Sequence, residues 1–388
     1  MLIPSLVFLY LGVAGRLAAV EASGLEQTRR LLENGGELRV VCFGDSVTGR
    51  YYHTGGVTAW SDLLAHALST AYPAAKITVF NAGVSGNTTT AALARWERDV
   101  LSRAPHLVAI MFGLNDVVNV APAEFSRNLT NLVEQTRTAG AAVILVTPNH
   151  VQTGDAQRPP ERVAAYAALV REVGRVTGVP VADCHRTFTE EAAPGGYRGE
   201  RWMSDAIHPN LHGHGLIAAE VARMILGPRE ALVGRKPVTM PEKGRAVRTP
   251  REPVRILAME PFDGVLRDLM AAGELPRPGR IVSWTVAGKS NAELIADTRR
   301  RGRWRNDSEI DGGRPDLIVV TLPAADDPDE QVFRDYSALL NGSLSFGAPE
   351  WELWVVLPPL GAQVGPARAS RLREIARDVA ASKGLTGA

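Results

Sequence analysis

The chain has 388 residues, 45% hydrophobic and 22% charged, proportions that exclude a disordered, collagenous or coiled-coil protein. Its 43 Lys and Arg against 42 Asp and Glu leave a formal charge of +1, so no overall basic field gathers nucleic acid or an anionic membrane. The length predicts two or three domains, and two cysteines, Cys42 and Cys184, are too few for a disulfide scaffold.

Leu2 to Val13 is an apolar stretch, followed by the small residues Ala18, Ala19 and Ala22. It is shorter than the roughly 20 residues of a membrane span. The pattern predicts a signal peptide or N-terminal tail over residues 1–23, and hence a secreted or periplasmic protein without stable membrane insertion.

From residue 24 to 227, short β-branched runs alternate with helical patterns. The runs are Leu38 to Phe43, Lys76 to Asn81, Leu107 to Met111, Ala142 to Val146 and Val179 to Asp183. Each is too uniformly apolar for a half-exposed strand, which predicts a parallel sheet covered on both faces. Thr89 to Arg103 sets Leu93, Trp96, Val100 and Leu101 on one helical stripe, and Ala123 to Thr138 does the same with Phe125, Leu129, Leu132 and Val133. The expected fold is α/β: a doubly wound, five-stranded parallel sheet.

Residues 228–254 interleave Pro228, Pro237, Pro241, Pro250 and Pro253 with Arg235, Lys236, Lys243, Arg245, Arg248 and Arg251. Proline at that density blocks helix and ladder pairing, so the segment reads as a linker. Beyond it, over 255–388, the strand rhythm restarts. Ser283 to Asn291 echoes Val79 to Asn87, Arg314 to Leu322 lies over Ala104 to Phe112, and Trp351 to Pro358 parallels Ala141 to Pro148. The matched order predicts a second, smaller α/β domain that arose by internal duplication.

In a parallel sheet the residues just past each strand gather along one edge. Three polar signatures fall there: Gly44-Asp45-Ser46, Asn81-Ala-Gly83-Val-Ser-Gly86-Asn87 and Gly113-Leu-Asn115-Asp116. A fourth, Asp205-Ala-Ile-His208, precedes the last helix of this region. Singly, each is ordinary turn chemistry. Together, in this order, they supply a hydroxyl, an imidazole, a carboxylate and amide donors.

On these four blocks the segment Leu38 to Leu226 resembles the SGNH (GDSL) hydrolase family, whose flavodoxin-like fold it would share. Asn81 to Arg95 also resembles the bacterial thioesterase and lysophospholipase branch. The resemblance implies Ser46 as nucleophile, His208 as base and Asp205 as its orienting carboxylate. The N–H groups of Ser46 and Gly83 and the side-chain amide of Asn115 would hold the oxyanion. A serine hydroxyl needs such a base near neutral pH, which fits the first assignment independently. Asp45 is expected to fix the nucleophile turn, and Asn87, Asp116 and His150 to join it near the pocket. No metal or organic cofactor is expected. An alternative gathers His208, His212, His214 and Asp205 into a metal site.

In the second region Phe262, Ala287 and Ala325 stand where Ser46, Gly83 and Asn115 would, which predicts a folded but catalytically silent domain. The run Arg299 to Arg305 reads as a solvated face, not a nucleic-acid patch. The expected function is a serine esterase on short acyl or acetyl esters, carbohydrate-linked ones included. One alternative is a lysophospholipase or acyl thioesterase, and another is a carbohydrate-binding protein with a vestigial triad. The substrate would be a small-molecule or carbohydrate ester, with no nucleic-acid partner.

Overall fold

A computed structural model describes residues 25–227, 238–239, 254–274, 279–300, 314–323, 326–357 and 364–385. The expected signal peptide, nearly all of the expected linker, most of the run Arg299 to Arg305, and Ala325 lie outside the described residues. By contact the chain divides into two units. The first is Met1–Gly49, Ala59–Glu190 and Gly213–Met240; the second is Arg50–Thr58, Glu191–His212 and Pro241–Ala388.

In chain order, α1 (residues 25–33) precedes β1 (Glu37–Gly44), α2 (Trp60–Ala71), β2 (Lys76–Gly83), α3 (Thr89–Asp99) and β3 (Leu107–Met111). Then come α4 (Asp116–Asn119), α5 (Pro122–Thr138), β4 (Ala142–Val146), α6 (Pro160–Thr177), β5 (Val181–Ala182), α7 (Cys184–Ala192), α8 (Gly196–Glu200) and α9 (Leu211–Leu226).

The first unit holds a sheet of order β2-β1-β3-β4-β5, parallel throughout, as the sequence predicts. The chain reverses direction across the sheet at β1, which has β2 on one side and β3 on the other. Register aligns the strand ends there: Gly44 pairs with both Gly83 and Met111. Residues leaving β1, β2 and β3 therefore emerge side by side, at the point where such sheets bind ligands. Strands β1, β3 and β4 are buried almost throughout, whereas β2, an edge strand, is only half-buried. Phe125, Leu129, Leu132 and Val133 of α5 are buried as their spacing predicts. The expected stripe of α3 shifts, however: Leu101 lies beyond the helix and is 41% exposed, while Ala92, Arg95 and Trp96 face inward.

The second unit contains β6 (Val254–Met259), α10 (Phe262–Ala271), β7 (Gly279–Trp284), α11 (Asn291–Arg300), β8 (Leu317–Thr321), α12 (Asp329–Ser343), β9 (Glu352–Val356) and α13 (Pro366–Ala381). Its parallel sheet has the order β7-β6-β8-β9. Trp284, Phe333, Tyr336, Leu340, Trp351 and Ile375 fill its core, and Tyr52 and Tyr197 pack against them from the two short segments assigned to this unit. Among the described residues no helix is long and apolar enough to cross a membrane.

Candidate active site

In the first unit, Ser46 stands two residues past β1 in a helical turn that Thr48 and Gly49 close by donating their N–H groups to the Asp45 carbonyl. Asp45 Oδ1 accepts the Val47 N–H at 2.9 Å, so its carboxylate is committed to shaping this turn. The turn lies hard against the end of β2. A Cβ on Gly83 would sit 2.2 Å from the Gly49 nitrogen, and one on Gly44 2.1 Å from Thr48 Oγ1. Gly83 is thus required by backbone packing.

The Gly83 N–H, expected as an oxyanion donor, donates instead to Asn81 Oδ1 at 3.0 Å. Gly86 is exposed, has φ +76°, and its N–H has no hydrogen-bond partner among the described residues. Asn115 joins the same turn, its Nδ2 donating to the Asn87 carbonyl at 3.1 Å. Arg158 donates to Asn115 Oδ1 at 3.2 Å and to the Leu114 carbonyl at 2.8 Å, which fixes the end of the amide that carries the NH2 group.

Arg95 ties these turns together from within. Its guanidinium donates to the carbonyls of Gly44 at 2.8 Å and Ala82 at 2.9 Å, to Asn87 Oδ1 at 2.7 Å and to Asp99 Oδ2 at 2.9 Å, lying 4.3 Å from the Phe43 ring centroid. Burial lowers its pKa, and the pairing with Asp99 opposes that shift.

In the second unit, Asp205 and His208 form a closed turn. Asp205 Oδ1 accepts the N–H groups of Ile207 at 3.0 Å and His208 at 2.8 Å, and His208 Nδ1 lies 2.9 Å from Asp205 Oδ2. Tyr52 donates its hydroxyl to Asp205 Oδ2 at 3.0 Å. Burial alone would raise the Asp205 carboxyl, but the charge and hydrogen bonds of His208 and the Ile207 amide hold it well below the usual carboxylate range. With an ionised acid on Nδ1, the proton sits there and Nε2 is left as the basic nitrogen. The ring of His53, fully buried, stacks on His208 with centroids 4.8 Å apart and planes 7° from parallel.

The remaining expected residues fare differently. Asp116, 0% exposed, accepts the Thr89 N–H at 2.8 Å and hydroxyl at 2.6 Å, and Asp45 is 2% exposed, so neither lines a pocket. The Asn87 side chain is engaged by Arg95. His150 follows β4 and meets His185 edge-on at 6.1 Å. His214 Nδ1 accepts the Trp60 N–H at 2.9 Å, and among the described residues no three His, Cys, Asp or Glu side chains are grouped to hold a metal.

Sequence reading missed Arg95, Arg158, Tyr52 and His53. Only Arg95 carried a signal, since its spacing from Ala92 and Trp96 places it on the inward stripe of α3.

Residues 42–216 match the profile of the GDSL-like lipase/acylhydrolase family. An acetylxylan esterase of Geobacillus stearothermophilus is 32% identical over 170 residues, 41% of this chain and 76% of that protein. Esterase TesA of Pseudomonas aeruginosa is 33% identical over 135 residues, 34% of this chain and 62% of that protein. The crystal structure of a lipase/acylhydrolase from Enterococcus faecalis is 29% identical, covers 53% of this chain and 100% of its own, and aligns with a TM-score of 0.44.

Proposed function

The chain belongs to the GDSL-like lipase/acylhydrolase family, and from that premise we propose an exported serine esterase that cleaves carboxylic esters through an acyl-enzyme. The observation that carries this reading is the Asp205–His208 pair, whose acid grips Nδ1 and leaves Nε2 as base. Ser46, in a rigid turn at the switch point of the sheet, is the nucleophile.

Ser46 Oγ adds to the ester carbonyl as His208 Nε2 takes its proton. The tetrahedral oxyanion then collapses, the alcohol leaves with that proton, and the acyl group stays on Ser46. Water activated by the same imidazole attacks the acyl-enzyme, releases the acid and restores the serine. Charge on the oxyanion is met by the Ser46 N–H, Asn115 Nδ2 and the Gly86 N–H, the last in place of Gly83, whose amide Asn81 occupies.

Acetyl or other short acyl esters on carbohydrate are the substrates we favour, supported by the likeness to an acetylxylan esterase. The resemblance of Asn81 to Arg95 to the thioesterase and lysophospholipase branch favours longer acyl chains or thioesters, and a rate series over acyl length separates the two. The apolar segment ahead of residue 24 supports export. Residues 255–388 we read as a diverged, catalytically silent copy. The order β7-β6-β8-β9 repeats that of β2-β1-β3-β4, and Phe262 opens α10 where a nucleophile would stand.

The decisive experiment compares wild type with Ser46→Ala. The variant should fold and turn over p-nitrophenyl acetate at least ~10³-fold more slowly, and only wild type should take up a fluorophosphonate. Equal turnover in the two proteins, or no labelling of wild type, would favour the carbohydrate-binding reading.

A further inference from the structure

We propose that the C-terminal sheet region holds the acid–base turn in its working geometry through Lys383 and Asn341, which makes both positioning residues for ester hydrolysis. The inference rests on the hydrolase reading above and gives the catalytically silent region a part in the reaction.

Lys383 lies in the turn after α13 and is 1% exposed. Its Nζ donates to Ser204 Oγ and, at 3.3 Å, to the His53 carbonyl. Ser204 immediately precedes Asp205. Its hydroxyl proton goes to Asn341 Oδ1 at 3.0 Å, and its carbonyl accepts Asn341 Nδ2 at 2.9 Å. The far end of the turn is fastened as well, because the Leu211 N–H donates to the Ser382 carbonyl at 2.8 Å. Across the middle, the Ser204 N–H donates to the His208 carbonyl at 2.8 Å. The turn that carries Asp205 and His208 is therefore held at both ends by residues of α12 and of the chain after α13.

Lys383 reaches the pair by two routes. Through Ser204 it fixes the backbone that enters Asp205. Through the His53 carbonyl it fixes the residue whose ring stacks on His208. The segment bearing His53 is fitted to the same place: Gly55 has φ +76°, and a Cβ there would come 2.0 Å from the Lys383 carbonyl oxygen. Tyr52, which donates to Asp205, has its own N–H on the Phe346 carbonyl at 3.0 Å.

A buried ammonium is a poor choice for stability alone, since an apolar side chain of the same shape avoids its desolvation. Its placement makes sense as a donor to two fixed oxygens beside a carboxylate. The titratable residues linked to Lys383 are Asp205 from the turn, His53, whose carbonyl it binds, and His212 of α9. Asp205 attracts the ammonium.

The test uses full-length wild type, K383M and N341A, with p-nitrophenyl acetate turnover against pH, fluorophosphonate labelling and circular dichroism. Both variants should fold, keep KM within about 2-fold and lose about 10- to 100-fold in kcat, the penalty of a misplaced catalytic group. Wild-type kcat in both variants, with normal labelling of the wild-type protein, overturns the inference and leaves the hydrolase reading intact. Wild-type protein that neither turns over nor takes up the probe overturns both. Should K383M fail to fold, N341A decides by the same thresholds.

Discussion

Two buried cations, Arg95 and Lys383, fasten the turns that carry the proposed nucleophile and the proposed acid–base pair, and each has a distinct signature. Arg95 satisfies the Gly44 and Ala82 carbonyls and Asn87 Oδ1 from one planar fork. An ammonium is a point donor and cannot span them. Arg95→Lys should keep the charge yet lose about 2–4 kcal/mol of stability in urea, as at least one buried acceptor is left bare, with kcat falling alongside. A variant as stable as wild type would show that the fork does not fasten the turns. Lys383 behaves oppositely. Burial lowers it from its ordinary 10.5 to about 7, so between these values the unfolded chain binds a proton that the folded chain does not. Stability therefore rises as pH climbs from about 7 to 10.5, while below 7 the full penalty of the buried charge applies. K383M escapes that penalty. At pH 6 it should outlast wild type in urea, with the gap closing toward pH 10, so the more stable protein is the slower one. Parallel stability curves would refute this.

At the scale of elements, the turns after β1 and β2 show what the sequence makes legible and what it leaves out. Uniform apolar runs located the strands, and the polar blocks followed as strand exits because a parallel sheet sends every C-terminal end to one edge. Which glycine has its N–H engaged within the fold was not legible. Gly83 and Gly86 lie in one stretch, and only register reveals that Gly83 is pressed on the Thr48–Gly49 backbone with its N–H on Asn81. The two substitutions should separate. In Gly83→Ala the new methyl meets backbone at 2.2 Å, so the nucleophile turn must shift, with a loss above about 3 kcal/mol and of most activity. In Gly86→Ala nothing lies within 4 Å of the methyl, and only the strain of φ +76° applies, about 1–2 kcal/mol. Thermal melts and kcat for the pair check this, and equal destabilisation would contradict the packing argument.

Across the whole molecule, the strand rhythm marked where one sheet stops and another begins, but not which sheet each loop joins. The chain leaves the first unit at Gly49, returns at Ala59, leaves again at Glu190 and returns at Gly213. Nothing in the composition of 50–58 or 191–212 announces this. The partners that receive them, Asn341, Phe346, Ser382 and Lys383, belong to no motif and lie more than a hundred residues further along the chain. A chain ending at Gly227 would retain β1 to β5, Ser46, Asn115, Asp205 and His208, every residue that the family motifs identify. It would lose the donors to Ser204 and the His53 carbonyl, the acceptors for the N–H groups of Tyr52 and Leu211, and the core against which Tyr52 and Tyr197 pack. Motif content predicts an active esterase, whereas the hydrogen bonds predict that the acid–base turn relaxes. We expect this truncated chain to keep the circular dichroism of its parallel sheet and to turn over p-nitrophenyl acetate about 100-fold more slowly than the full chain, or worse. Turnover at the full-length rate would mean that the first 227 residues hold Asp205 and His208 unaided.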